Sequence, residues 1–116
     1  MSFTITESKS YNHPLNDVLK AAITAVNGLE GKVKSQDETN KRLNVLFDKK
    51  ILGKVLGDRT QMEIKLESVS PQETSMQVEI FPLDAIGQKL LFGARKGVSR
   101  TVLTWFYAHL DHHLKG

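Results

Sequence analysis

The chain has 116 residues, 40% apolar and 25% charged, with a net charge of +3, a pI near 9.2 and no cysteine. That length supports one domain with a real core, and the missing thiols exclude disulfides, thiol catalysis and cysteine-ligated metal. No run approaches the ~18 apolar residues of a spanning helix, and MSFTITESKS has neither a basic start nor an apolar stretch of the secretory kind, so a cytoplasmic location is expected.

Phe3 and Ile5 suggest a first strand, although Glu7 and Lys9 continue the same parity. Pro14 suits the first position of a helix. Behind it Leu15, Val18, Leu19, Ala22, Ile23 and Val26 form one apolar stripe at helical spacing, and Asn27-Gly28 supplies a left-handed stop. Gly31–Gln36 and Arg42–Lys50 read as strands around the polar turn Asp37–Lys41. Arg59–Val69 sets Met62, Ile64 and Leu66 against Gln61, Glu63, Lys65 and Glu67, and Ser75–Phe81 repeats the alternation. With turn residues Ser70–Glu73 between them, these two make an antiparallel hairpin with one wet face. A last helix, Val98–Lys115, buries Val102, Leu103, Phe106 and Leu110, with Trp105 beside that stripe. The order β-α-β-β-β-β-α predicts a two-layer α+β fold: a five-stranded antiparallel sheet with both helices on one face, residues 1–116 forming a single domain.

Two acid-free stretches stand out, Ile51–Gly57 and Ala85–Arg100, which hold five of the eight glycines together with Lys54, Lys89, Arg95, Lys96 and Arg100. Counting strand directions brings both to the same end of the sheet. There Ile51, Leu52, Leu56, Leu90, Leu91 and Phe92, with Lys54, Lys89, Arg95 and Lys96, are the candidate surface for an anionic membrane or a protein partner. The alternative is a small apolar-ligand carrier with a pocket between the sheet and the C-terminal helix, its mouth at that end.

Other chemistry finds little footing. Gly93–Ser99 places glycines and basic side chains before a helix, as an anion cradle would, but matches no phosphate-loop spacing. His109, His112 and His113 could offer two imidazoles but lack a third fixed ligand, so no metal is expected. Ser99 lacks a nucleophile elbow, and the sheet carboxylates sit where solvated ones belong, so no catalytic residue and no cofactor is expected. The outer face displays Glu63, Glu67 and Glu79 with Phe81 as its one aromatic, which argues against nucleic acid.

The helix Pro14–Asn27, the strand-turn-strand Lys32–Phe47 and Gly93–Val98 opening a helix that ends at Leu110–Leu114 together resemble the TBP-like and Bet v 1-like arrangement and small bacterial domains of unknown function with that layout. Nearly the whole chain is covered by this resemblance of pattern. TBP halves bind DNA through an apolar sheet face, from which Glu63 and Glu79 depart. Bet v 1-like proteins hold apolar ligands between sheet and helix, and the resemblance implies such a ligand here.

Overall fold

The computed structural model describes residues 3–94 and 97–115. The elements are β1 (Ile5–Tyr11), α1 (Leu15–Gly28), β2 (Lys32–Asp37), β3 (Arg42–Phe47), the two-residue strands β4 (Lys50–Ile51) and β5 (Lys54–Val55), β6 (Arg59–Ser70), β7 (Glu73–Leu83) and α2 (Val98–Leu114). Five strands form one antiparallel sheet in the order β1-β7-β6-β3-β2, so α1 carries the chain from one edge of the sheet to the other. The expected two-layer α+β order stands, with a miniature β4–β5 hairpin added inside the loop that follows β3.

Period-two alternation does the sorting. Met62, Ile64 and Leu66 of β6 and Met76, Val78 and Ile80 of β7 are buried on the inner face, against Val18, Ala22, Ala25 and Val26 of α1 and Val102, Leu103, Phe106 and Leu110 of α2. Small side chains on α1 let the two helices approach. A Cβ added at Gly28 would lie 2.9 Å from Nδ1 of His109. The close approach, rather than a helix stop, is therefore what glycine serves at that position. The chain turns instead at Glu30, with φ 62, while the amide of Gly31 donates to the carbonyl of Val26. Gly31 must also lack a side chain, because a Cβ there would meet the Phe47 ring at 2.7 Å.

Inward-facing charge on β1 is explained by α2. Glu7 accepts from the Tyr107 hydroxyl at 3.0 Å and pairs with the Arg100 guanidinium at 2.7 Å, while Lys9 Nζ stands 3.8 Å above the Tyr107 ring. These two hydrogen bonds hold the Glu7 carboxyl below its ordinary value. The edge strand is thus clasped to the last helix through polar contacts where a β-strand of this parity would ordinarily bring aliphatic ones. Inward charge of this kind also discourages edge-to-edge pairing.

Candidate functional site

The hairpin β4–β5 is built around an uncommon turn. Leu52 and Gly53 both have positive φ, 50° and 82°, as a two-residue type I′ turn requires. A leucine in that region costs roughly 1–2 kcal/mol. The Leu52 amide is held by the Glu30 carboxylate at 2.6 Å, and Glu30 is itself left-handed. Among the described residues three non-glycine positions have positive φ, and two of them are therefore bonded to each other. Strain of this kind persists only where the surroundings over-determine it, and it gathers at sites of function.

Beside this pair lies an apolar cleft of ≈ 350 Å³ between the end of α1, the hairpin and the middle of α2. Leu29 and Ile51, both fully buried, make its floor; Leu52 and Trp105 are its walls; Ala108 leaves room beside them. Two polar groups stand at its rim. Lys54 Nζ lies 5.6 Å from the Trp105 ring centroid, within cation–π reach, and the half-buried His109 packs on Gly28. The volume is at the small end of ligand sites, sufficient for a compact apolar body with one polar group. By contrast, the space between sheet and α2 is filled by fully buried side chains such as Phe106, Leu103 and Ile80. The expected pocket is thus moved from the interior to the flank of α2, because a core this small has no spare volume to leave hollow. A second depression, ≈ 280 Å³ on the outer sheet face, has Arg42, Asn44, Glu63, Lys65, Gln77 and Glu79 in its lining and is more polar than apolar.

The residues singled out from sequence divide sharply. Ile51 is fully buried and is withdrawn from the candidate surface, since in the hairpin it alternates with the exposed Leu52 and points to the core. Leu56 and Leu90 are half-buried, Leu56 packing against the core. Leu52, Leu91 and Phe92 are exposed, as are Lys54 and Lys89. Lys89 turns onto the outer sheet face, 4.5 Å above the Phe81 ring and 3.8 Å from Glu79. Arg95 and Lys96, the two basic residues of the anion cradle, lie outside the described residues. The two loops do meet at one end: Arg59 Nη2 donates to the carbonyls of Asp84 and Ala85, and Lys49, Gly57, Leu83 and Leu90 line a shared shallow depression. Of the three C-terminal histidines, His109 faces α1 and the cleft, while His112 and His113 stack edge to face at 5.4 Å. Among the described residues no group of three or more His, Asp or Glu is arranged to hold a metal.

Sequence reasoning missed Leu29, Glu30, Ala108 and His109 as parts of one site. Trp105 stands at the edge of the buried stripe in the sequence, and the structure leaves it half-buried beside the cleft.

An antiparallel sheet gripping a long C-terminal helix defines a Bet v 1-like fold. Ara h 8.0201 is similar over 100% of both chains, with a TM-score of 0.66 and 15% identity. The di-domain ARO/CYC StfQ from the steffimycin biosynthetic pathway matches 93% of this chain at a TM-score of 0.61 and 10% identity, and the match spans 44% of StfQ. CalU16 from Micromonospora echinospora matches over 95% of this chain and 71% of its own, with a TM-score of 0.58 and 14% identity. No family model matches the chain, and no curated protein matches its sequence. At these identities the likeness is one of fold.

Proposed function

We propose that the chain is a small binding domain for a compact apolar ligand bearing an anionic or polar group, held in the cleft between the β4–β5 hairpin and α2. The observation that carries this reading is the cleft's construction: an apolar floor and walls with Lys54 and His109 at the rim, braced by the strained Glu30–Leu52 contact. The Bet v 1-like fold lends support, since proteins resembling Bet v 1 hold apolar ligands. Trp105 would lie against the ligand's flat or aliphatic body, and Lys54 would move from the indole face to the ligand's charge.

Trp105 is the only tryptophan, so its emission reports on the cleft directly. Titration with 8-anilinonaphthalene-1-sulfonate, an apolar aromatic with one anionic group, should quench Trp105 with saturation. Added short-chain fatty acid should compete. Ala108→Phe, which fills the cleft from an exposed helix position, should abolish the quenching without lowering the melting temperature. Quenching that persists in Ala108→Phe, or a Trp105 signal untouched by probe in excess, refutes the assignment.

A further inference from the structure

Beside the cleft a short stretch of backbone stands out from the body of the domain. Ile51 is fully buried and Leu56 packs on the core, but between them Leu52 is 58% exposed, Val55 72%, and Lys54 is exposed as well. The β4–β5 ladder is a sheet of its own: Lys50 pairs with Val55 and Ile51 with Lys54, and neither strand joins the five-stranded sheet. Its base is tied by the amides of Leu56 and Gly57, which both donate to the carbonyl of Lys49. A two-stranded ribbon is marginal by itself in water, so the position of the tip Leu52–Val55 depends on what it touches.

It touches both sides of the cleft. Toward α1 the Leu52 amide donates to the Glu30 carboxylate at 2.6 Å, and toward α2 Lys54 Nζ stands 5.6 Å from the Trp105 ring centroid. Glu30, Leu52 and Lys54 are all exposed, so water competes for both contacts and local opening is cheap. The Leu52 backbone gives that opening a direction. At φ 50° it sits in the left-handed region, which is unfavourable for leucine and persists only while something holds it there. The turn therefore has two discrete arrangements: latched, with Leu52 left-handed under Glu30, and released, with Leu52 relaxed and the tip swung off the cleft.

We propose that Leu52–Val55 is a strap that gates the cleft, opening when the Leu52 amide leaves Glu30 and closing again over a bound ligand. The strap rests on the preceding reading of the cleft as a ligand site, and it gives Glu30, which does not line the cleft, the part of latch. Leu29 and Ile51 keep their places as the floor while the tip moves, because both are fully buried. An anionic group on the ligand takes Lys54 over from the indole, so the strap recloses with the ligand in place of one of its two fastenings. The same latch closes the empty and the occupied cleft. Weakening it therefore speeds entry and exit alike and leaves the affinity where it was.

The test is stopped-flow quenching of Trp105 in the full chain by 8-anilinonaphthalene-1-sulfonate, with dissociation followed after dilution. Glu30→Ala should raise the association and dissociation rate constants each about fivefold, with Kd unchanged to within about twofold. Glu30→Gln, which keeps a neutral acceptor, should fall between Glu30→Ala and the parent. Leu52→Asn puts Asn-Gly, the pair that type I′ turns favour, at the tip and should slow both rates. Rates in Glu30→Ala equal to the parent's, or a weaker Kd carried by faster dissociation alone, overturn the strap and leave the ligand site standing. Absence of saturable quenching in the parent removes the ligand site itself, and the strap with it.

Discussion

Replacing Glu30 with alanine tests the architecture of the cleft more directly than any change to its walls. The carboxylate accepts the Leu52 amide at 2.6 Å and is what holds a leucine in a backbone region costing roughly 1–2 kcal/mol. A hydrogen bond to a charged group is worth about 1.5–3 kcal/mol when buried. Both residues are exposed here, which brings the expected loss to about 1 kcal/mol. The hairpin is a local unit, so the loss should appear as local opening rather than global unfolding. In amide hydrogen exchange, Leu52 should exchange about fivefold faster in Glu30→Ala, the ratio equivalent to that energy. Chemical denaturation should shift by no more than about 1 kcal/mol. Trp105 emission should move to the red as Leu52 and Lys54 leave its side. Glu30→Gln keeps an oxygen acceptor without charge and should recover part of the protection. Leu52→Gly keeps the amide and removes the left-handed penalty, so it should protect the hairpin further. An unchanged Leu52 exchange rate in Glu30→Ala, with unaltered Trp105 emission, would mean that the contact does not shape the cleft.

Gly31→Ala should destabilise the whole domain by about 1–3 kcal/mol through overpacking against Phe47, less a few tenths regained from the stiffer unfolded chain. A thermal melt should fall by roughly 4–8 °C per kcal/mol. The Glu7 clasp predicts an acid dependence. Its carboxyl is held below 4.5, so its stabilisation is complete above that pH and is lost as pH falls through the lowered folded value. Arg100→Ala should therefore be less stable than the parent at neutral pH, with the gap narrowing in acid denaturation series. Tyr11 gives the alkaline counterpart. Burial, aided by Asp111, pushes its phenol up to about 12, so the unfolded chain ionises first and stability falls as pH rises from 10 towards 12. The Tyr11 hydroxyl is buried without a hydrogen-bond partner, so Tyr11→Phe should match or exceed parent stability at neutral pH and lose less of it at alkaline pH.

The sheet and helices were legible because each buries one face, and a buried face writes its period into the sequence. Met62, Ile64 and Leu66 are two apart; Val102, Phe106 and Leu110 are four apart. The same rule made Glu7 and Lys9 look misplaced on β1, since the compensating groups, Arg100 and Tyr107, are about a hundred residues away and have no local signature. The β4–β5 turn was invisible for a related reason. Type I′ turns advertise themselves by Asn-Gly or Asp-Gly, and this one is formed by Leu52-Gly53 under the constraint of a carboxylate twenty-two residues upstream.

The turn also decides what the unusual composition of Ile51–Gly57 means. Read as a loop, its apolar residues share one fate, either all outward or all folded back. Read as a hairpin, they alternate: Ile51 closes the floor of the cleft, Leu52 forms its wall and Val55 stands in water. Composition marks a segment as unusual, but strand parity assigns each side chain its side, and parity cannot be counted until the turn position is known. Turn position here depends on where Glu30 sits. The site was consequently beyond a residue-by-residue reading even though Leu52 and Lys54 had been picked out. Its walls come from α1, the hairpin and α2, and the contact that aligns them is a single hydrogen bond between two left-handed residues.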